Sequence, residues 1–295
     1  MSIALEDLEL LLEAASLGSF SQAAARRGWS QPQVSQRIGA LERLLGVTLF
    51  QRHRRGAEPT AACLSYLPAA RAALEMLAHG RECLQGMEAL PTVRLACLAS
   101  LAGVLFGPLL QGLADAPLEI HCDTDHSPQI MQRLLTGERD IGFVLERPAV
   151  AGLRMEWLCD SPIAAVCAAG HPLADKAQVT LGEVARHPLA PQYWGAECDE
   201  LLRLLRPLRA EARPIHRVQP AAAARDLALH HGFVSFMPEL AVRDELELGM
   251  LKRLSLAGIE LGGWRLMMAW REGKRREPAK QRVLDAARKL AQSWS

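Results

Sequence analysis

Two short helix patterns separated by one tight turn lie within residues 19–46, and they restrict the fold more than any other feature. The patterns open with Ser19-Phe20-Ser21-Gln22 and with Ser30-Gln31-Pro32-Gln33. A serine followed three residues later by glutamine is typical of a capping box at a helix N-terminus. Gly28 and Gly46 follow the two patterns, and glycine readily takes the left-handed backbone that ends a helix. The sequence therefore predicts a helix-turn-helix, preceded by a first helix that ends at Gly18.

The second predicted helix has a buried side and a polar side. Its apolar residues recur at helical spacing, and they are Val34, Ile38, Leu41 and Leu45. Glutamine can pair with adenine, serine with several bases, and arginine with guanine or phosphate. We therefore expect this helix to enter the major groove of DNA. Its open side carries Gln31, Gln33, Ser35, Gln36 and Arg37.

The segment after Gly46 predicts a basic wing. Residues 47–50 have the pattern of a strand, and residues 51–56 that of the turn that follows it. Between residues 26 and 55 there are seven arginines and one glutamate, whereas the whole chain has a formal charge of +1. A local charge of about +6 is the footprint expected of binding to a phosphate backbone. An ordinary solvated loop is the alternative explanation for the wing arginines.

Two features of the whole chain limit its class. The first residues contain scattered acids and no basic start, which argues against a signal peptide, and no uncharged apolar run reaches the ~18 residues of a membrane span. We therefore expect a cytoplasmic protein. The seven cysteines show no zinc-finger or C-x-x-C spacing, so reduced thiols are expected.

Residues 59–90 predict one long linker helix. A 3-4 spacing, typical of the seam of a short coiled coil, runs through Leu67, Ala70, Leu74, Leu77, Arg81 and Leu84. Core packing is the alternative use of such a stripe. No helix pattern next to it offers a partner within the chain, so we expect a homodimer through this helix.

The remainder alternates strand and helix patterns, which favours α/β domains with largely parallel sheets. The strand patterns are 93–98, 118–122, 141–145 and 163–167, with a helix at 127–136 and a final helix at 278–293. In such domains, ligands bind beyond the carboxyl ends of strands, close to helix N-termini.

The N-terminal residues resemble the LysR-type transcriptional regulators. The similarity includes Gly18-Ser19-Phe20, Ala23-Ala24, the Ser30–Ser35 segment, Leu41-Glu42, Leu44-Leu45-Gly46, Leu49-Phe50 and Thr60. A looser similarity continues through Leu134-x-x-Gly137-x-x-Asp140-Ile141, His171-Pro172-Leu173-Ala174 and Met237-Pro238. The chain departs from the family at Trp29, at residues 59–63, and at His231 and Phe233 beside Gly232.

This resemblance implies an α plus α/β chain. A winged helix-turn-helix at 1–58 and the linker helix at 59–90 precede two Rossmann-like lobes of the type II periplasmic-binding-protein kind. Lobe one is expected at 91–161 plus 265–295 and lobe two at 162–264, with crossings near 160–162 and 262–263. The DNA-binding residues expected from the resemblance and the local pattern are Ser30, Gln31, Pro32, Gln33, Ser35, Gln36, Arg37, Arg52, Arg54 and Arg55.

The partners implied are double-stranded DNA, a small-molecule effector, RNA polymerase, and further copies of the chain in a homodimer or homotetramer. Candidate effector-binding residues are Ser100, Ser127, Arg147, Tyr193, Trp194 and His231. Helix capping is the alternative role for the two serines, a surface ion pair for Arg147, and core packing for the other three. Arg147 favours an anion, so a small carboxylate or aromatic acid is expected.

Other functions are less well supported by the sequence. An enzyme would need a nucleophile elbow, a phosphate-binding glycine loop or a metal cluster, and we find none of these motifs in the sequence, so no cofactor or metal is expected. A redox-responsive regulator would use a cysteine switch, but the acidic neighbours of Cys198 blunt its thiol. A DNA binder without an effector would have no use for two lobes.

Overall fold

The computed structural model describes residues 3–53, 56–84, 90–209, 213–271 and 277–294, without the side chains of residues 52, 79 and 82–84. Its N-terminal unit contains three helices, a two-stranded hairpin and a long fourth helix. These elements are α1 Leu5–Leu17, α2 Phe20–Arg27, α3 Gln31–Leu45, β1 Phe50–His53, β2 Gly56–Pro59 and α4 Ala61–Leu84. The predicted helix-turn-helix is therefore confirmed as α2 and α3.

Local capping chemistry fixes the three helix ends that the sequence predicts. Gly18, Gly28 and Gly46 follow α1, α2 and α3 with positive φ angles of 59°, 65° and 69°. The Ser19 hydroxyl accepts a hydrogen bond from the Gln22 backbone N–H at 3.3 Å. The helices thus begin and end where short-range signals place them.

The wing begins later than the sequence pattern predicts. Residues 47–49 are not part of the strand, which starts at Phe50. The Glu42 carboxylate accepts hydrogen bonds from the backbone N–H groups of Leu49 and Phe50, at 2.7 and 3.1 Å, and the Leu49 carbonyl accepts one from Thr60 N–H at 2.9 Å. The Glu42 contact thus takes the Leu49 N–H, which a longer strand would need for its own pairing. Paired strands then extend into the region predicted as a turn, with Phe50 opposite Pro59 and His53 opposite Gly56.

The first half of α4 belongs to the core of the N-terminal unit. Leu67 and Ala70 are buried together with Leu10 and Leu11 of α1, and Leu74 packs against the same cluster. The expectation that α4 has no partner helix within the chain is therefore wrong. The sequence pattern missed this contact because residues 18–60 separate α1 from α4 in the chain. Beyond this contact the stripe is open, since Leu77 is 49% exposed.

The C-terminal part is a curved mixed sheet flanked by helices. Its strands are β3 Thr92–Cys97, β4 Glu119–Thr124, β5 Ile141–Leu145, β6 Leu153–Ala168, β7 Ser235–Pro238, β8 Leu251–Leu254 and β9 Gly263–Arg271. Its helices are α5 Ala102–Gln111, α6 Ser127–Leu135, α7 Leu181–Val184, α8 Ala196–Leu205, α9 Ala221–His230, α10 Arg243–Glu247 and α11 Pro278–Gln292, with 3-10 turns at Arg206–Leu208 and Glu239–Val242.

The sheet is less parallel than the alternating pattern predicts. Its order is β4-β3-β5-β9-β6-β7, with β8 also paired to β6. Among the described ladders of this sheet, only those of β3 with β4 and of β3 with β5 are parallel, and the other ladders are antiparallel. The two antiparallel ladders at the centre of the sheet arise because β9 returns from the second lobe and inserts between β5 and β6. Periodicity along the chain does not reveal such an insertion.

One long strand serves both lobes. β6 pairs with β9 from Leu153 to Pro162, and from Ile163 onward it pairs with β7 and β8 instead. Pro162 lies opposite Gly263 at this change of partners. This change of partners falls within the ranges where the sequence predicts the lobe crossings, and the exact bounds of the lobes stay a prediction.

The α6–β5 loop meets the linker helix. A Cβ atom added to Gly137, whose φ is 73°, would lie 3.4 Å from Cα of Pro68 in α4. Arg94 of β3 pairs with Glu75 of α4 at 2.8 Å. The linker helix therefore touches the first lobe as well as the N-terminal unit. Across the described residues, no helix has both the length and the apolar composition that would let it cross a membrane.

Candidate DNA-binding surface and ligand cleft

The polar side of α3 faces outward, as the sequence predicts. Gln31, Pro32, Gln33 and Gln36 are exposed, and Ser35 is half-buried. Val34, Ile38 and Leu41 are buried on the opposite side. The positive end of the helix dipole also lies at this N-terminus, which favours a phosphate.

Two of the polar residues at the start of α3, Ser30 and Gln33, are hydrogen-bonded to each other. The Gln33 Oε1 atom accepts hydrogen bonds from the Ser30 backbone N–H at 2.7 Å and from the Ser30 hydroxyl at 3.0 Å. The Ser30 Oγ atom accepts in turn from the Gln33 backbone N–H at 3.4 Å. This capping box makes Ser30 and Gln33 part of the support of the helix. Gln31 and Gln36 remain the exposed amides of the first two turns.

Arg37 is held by α1. Its guanidinium pairs with Asp7 at 2.8 Å and Glu6 at 3.0 Å, and it lies 4.8 Å from the centre of the Trp29 ring. The Asp7 carboxylate is the main cause of a raised Arg37 pKa. The structure thus places Arg37 between α3 and α1, although the sequence places it on the open side. The signal was missed because the acids lie 30 residues earlier.

The acidic side of α1 also reduces the positive charge that the sequence window indicates. Arg27 pairs with Glu13 at 2.5 Å and with Glu9 at 3.5 Å. Arg26 and Arg43 are exposed. Two of the seven arginines are therefore neutralised from outside the window. Of the predicted wing residues, Arg54 and Arg55 lie outside the described residues, as does the side chain of Arg52.

A cleft of about 690 Å³ lies between the two lobes. One wall is formed by residues of the first lobe and the other by residues 192–195, 219 and 220 of the second. Five of the candidate effector residues line it, namely Ser100, Ser127, Arg147, Tyr193 and Trp194. Residues far apart in the sequence therefore meet in one concave site, which is the usual form of a small-molecule site.

His231 lies elsewhere. It follows the C-terminal end of α9, is exposed, and has its Nε2 atom 3.5 Å from a carboxylate oxygen of Asp226. The start of α9, next to Pro220, lines the cleft instead. Ten helical residues span roughly 15 Å at 1.5 Å per residue. The grouping of His231 with the cleft residues is therefore corrected.

Ser127 does not cap α6. His126 is the residue before the helix, and its side chain makes no capping bond. Ser127 is buried, and its hydroxyl accepts a hydrogen bond from the Leu145 backbone N–H at 3.1 Å. This contact joins the N-terminus of α6 to the end of β5, which fixes one wall of the cleft.

Gln192 is a cleft residue that sequence reasoning missed. It is 2% exposed, and its Nε2 atom donates a hydrogen bond to Ser100 Oγ at 3.0 Å. The backbone N–H of Ala221, the first residue of α9, donates to the same oxygen at 3.4 Å. The available signal was a polar residue directly before the selected Tyr193 and Trp194, at the end of an apolar segment.

Five of the six described thiols are buried, and Cys122 is half-buried. Cys198 is buried, and burial is the main cause of its raised pKa, with Asp199 adding to it. Burial also raises the pKa of Cys159 and of Cys167 to about 11 and that of Cys63 to about 12. A thiol with a raised pKa holds little thiolate near neutral pH and reacts slowly. The described residues contain no group of three or more metal-ligating side chains that could hold a metal ion.

Two family models match most of the chain. Residues 5–64 match the model described as bacterial regulatory helix-turn-helix protein, lysR family. Residues 88–292 match the model described as LysR substrate binding domain. The boundary between the matches falls in and just after α4.

Individual proteins show the same similarity. The chain is 31% identical over 188 residues to the HTH-type transcriptional regulator CbbR of Sinorhizobium medicae, covering 63% of this chain and 60% of that protein. It is 28% identical over 270 residues to the uncharacterized HTH-type transcriptional regulator YdcI of Escherichia coli, covering 87% and 86%. The crystal structure of ArgP from Mycobacterium tuberculosis aligns with a TM-score of 0.66 at 22% identity, covering 98% of both chains.

Proposed function

The chain belongs to the LysR family of bacterial transcriptional regulators, which is not a family of enzymes, and we propose that it binds an operator through α3 and the wing and adjusts this binding to a small acid held in the cleft. The observation that carries the proposal is the convergence of both lobes on one cleft of about 690 Å³. A DNA binder without an effector would have no need of that cleft.

Base recognition is assigned to the exposed amides of α3. Gln31 and Gln36 are exposed on this helix, and a glutamine side chain can pair bidentately with adenine. Ser35 between them is half-buried and would contact a base edge at closer approach. Pro32 contributes shape to the same surface.

Backbone binding is assigned to the wing and the start of α3. Arg52, Arg54 and Arg55 would contact phosphates, and the capped start of α3 presents N–H groups to another. Ser30 and Gln33 hold that start in place through their capping box. Arg37 acts mainly by fixing α3 to α1, since Asp7 and Glu6 already neutralise it.

The cleft favours an acid on two grounds. Arg147 brings a positive charge to the wall of the first lobe, and it is exposed there. The N-termini of α6 and α9 border the same space, because Ser127, Pro128 and Pro220 line it. Helix N-termini attract negative charge through their unpaired N–H groups.

A route from the cleft to the linker helix passes through α6. Asp125 lines the cleft and lies 3.4 Å from Arg133 of α6, which lies 3.6 Å from Glu138. Glu138 lies 4.0 Å from Arg71 of the linker helix. Lobe closure around a ligand would shift the N-terminus of α6, and its other end would press on α4. This movement would change the angle between paired DNA-binding units and so the bend of the DNA.

Assembly is part of the proposal. The second half of α4 exposes Met76 and Leu77, and a coiled-coil contact with another copy would cover them. A homodimer built in this way presents two recognition helices to two half-sites of DNA. A homotetramer and contact with RNA polymerase follow from the family resemblance.

Binding of the full chain to an operator, selected from a random duplex pool, tests the DNA part. Alanine at Arg52 or Arg54 should weaken binding to all sequences and reduce the salt slope by about one unit each. Alanine at Gln31 or Gln36 should instead lose ~1–3 kcal/mol of preference for the selected sequence. Arg203→Ala, at a highly exposed position of α8, is the matched control and should change neither.

Two outcomes would contradict the assignment. The assignment of α3 as the recognition helix is wrong if the arginine and glutamine variants behave alike. The redox alternative requires that peroxide alters operator binding through a thiol. Burial of five of the six described thiols and the raised pKa of the half-buried Cys122 oppose this, so peroxide should leave the salt slope and the affinity unchanged.

A further inference from the structure

Two buried polar atoms in one wall of the cleft are without partners in the described part of the chain. They are Oε1 of Gln192, an acceptor, and Nε1 of Trp194, a donor. Gln192 is 2% exposed, so bulk water does not reach its side chain freely. Buried polar groups in folded proteins are nearly always hydrogen-bonded, and exceptions point to an absent partner.

We propose that the cleft selects an aromatic α-amino or α-hydroxy acid, whose amino or hydroxyl group donates to Gln192 Oε1 while its carboxylate accepts from Trp194 Nε1. This inference rests on the proposed function, because it takes the cleft as the effector site. Both residues line the cleft and are separated in the chain only by Tyr193, which favours a ligand whose donor and acceptor are close together. An acid with a donor on the carbon beside its carboxylate has that arrangement.

Ser100 adds a second requirement for an acceptor. Its oxygen already accepts hydrogen bonds from Gln192 Nε2 at 3.0 Å and from Ala221 N–H at 3.4 Å. A hydroxyl group has two acceptor sites and one proton. With both acceptor sites used, Ser100 can only donate, and the carboxylate of the ligand is the natural acceptor. Gln192 is held in place by the same contact, which presents its Oε1 atom as the remaining acceptor.

The rest of the wall indicates the side chain of the ligand. The apolar lining includes Leu98, Leu145 and Trp264 in addition to Tyr193 and Trp194. A ring on the ligand would pack favourably against these aromatic side chains, because aromatic rings favour edge-to-face or offset-stacked contacts with one another. The volume of about 690 Å³ leaves room for a ring beside the acid group. A simple aliphatic acid would leave much of this surface uncovered.

The charged side chains that line the cleft suit a ligand that carries a donor group as well as a carboxylate. Arg147 and Asp125 line the same cleft and carry opposite charges. Arg133, 3.4 Å from Asp125, offsets part of the negative charge. A carboxylate beside Arg147 and a donor group elsewhere in the ligand suit this distribution.

The test compares three acids that differ at one atom position: phenylalanine, 3-phenyllactate and 3-phenylpropionate. Each is titrated calorimetrically into the full chain. Phenylalanine and phenyllactate should bind at least ~10-fold more tightly than phenylpropionate, because a site built to accept a donor rejects the analogue that lacks it. Gln192→Met should remove this difference and leave the affinity for phenylpropionate within about 3-fold of the wild type.

A second probe variant and a control variant allow the inference to be tested even if Gln192→Met folds poorly. Gln192→Glu keeps the shape and the acceptor but adds a charge, so its preference for phenylalanine over phenyllactate should rise. Gln111→Met, at an exposed position that ends α5 outside the cleft, should bind all three acids as the wild type does.

The outcomes separate this inference from the proposed function. Equal affinities of the three acids for the wild type would overturn the inference and leave acid sensing intact. Binding of none of the three would overturn the inference, and the acid-sensing part of the proposed function would be overturned only if aliphatic acids such as succinate also failed to bind. The salt-slope experiment on operator DNA would still decide the DNA-binding part.

Discussion

The Gln192 amide donates to the Ser100 hydroxyl at 3.0 Å, although the two residues are 92 positions apart and belong to different lobes. The bond crosses the cleft, and a second bond to Ser100 comes from the start of α9. Both lobes are therefore tied at one oxygen atom. A ligand in the cleft must compete with this tie or add to it.

Replacement of Ser100 by alanine removes the tie. The buried Gln192 Nε2 atom then lacks an acceptor, and an unpaired buried polar group costs ~1–3 kcal/mol. We expect the free energy of unfolding to fall by about this amount and hydrogen exchange at 192–194 and 221–224 to accelerate. Ser100→Thr keeps the hydroxyl and should show a smaller loss. Unchanged exchange in both variants would show that the bond does not restrain the lobes.

The hairpin of the wing depends on Gly56. Its φ of 149° is disfavoured for other residues, and an added Cβ would collide with the Gly18 backbone carbonyl oxygen. Gly56→Ala should therefore destabilise the N-terminal unit by ~1–3 kcal/mol and weaken DNA binding by displacing the wing. Thermal unfolding and operator titration measure the two effects.

Gly103→Ala is the matched control for that substitution. Gly103 lies in α5 with an ordinary backbone conformation, and an added Cβ would meet no atom within 4 Å. Alanine there should be neutral or stabilise by up to ~1 kcal/mol, because glycine disfavours a helix interior. Equal losses from both substitutions would refute the role given to the Gly56–Gly18 contact.

The contact between Arg71 and Glu138 is expected to transmit the state of the cleft. Burial lowers the pKa of Arg71, and Glu138 partly offsets this shift. Arg71→Met should leave the ligand affinity nearly unchanged while reducing the effect of ligand on operator affinity by ~0.5–2 kcal/mol. Arg203→Met, at a highly exposed position of α8 outside this route, should preserve the full effect. A ligand effect that is equally large in both variants would exclude this route.

The stability of the second lobe should depend on pH through two histidines. The rings of His171 and His187 lie 4.5 Å apart, and burial is the main cause of the lowered pKa of each. The unfolded chain takes up protons more readily, so stability is complete above the ordinary pKa of about 6.5 and declines as pH falls below it. The midpoint of thermal unfolding should decrease between pH 7.5 and 5.5.

His171→Asn tests the origin of that decrease. His171 Nδ1 accepts a hydrogen bond from the Leu173 backbone N–H at 3.2 Å, and the asparagine amide oxygen can accept the same bond without titrating. The pH dependence should become shallower in this variant. It should stay as steep as in the wild type in His121→Asn, where the replaced side chain is exposed.

Signals within a few residues of one another were sufficient to predict the helix-turn-helix. The capping box of Ser30 and Gln33 and the glycines after each helix act over three or four positions. Contacts between distant segments could not be predicted in this way. Arg37 has its acidic partners on α1, and α4 packs on α1 across the whole winged unit.

The cleft was partly predictable for a similar reason. Ser100, Ser127 and Arg147 follow strand ends or helix starts, which sequence patterns reveal. Tyr193 and Trp194 were selected by residue type, and so was His231, which proved to lie at the wrong end of α9. Gln192 gains its importance only from a contact with Ser100, which no local pattern encodes.

The shared strand β6 limits how the sensing part can move. Its residues Leu153–Pro162 are hydrogen-bonded in one lobe, and Ile163–Ala168 are hydrogen-bonded in the other. No slack loop separates these two stretches, so the lobes can twist or bend about Pro162 and Gly263 but cannot slide apart. Under the proposed function, ligand binding would therefore rotate one lobe about a fixed axis, and a rotation of that kind could be repeated identically in every copy of an assembly.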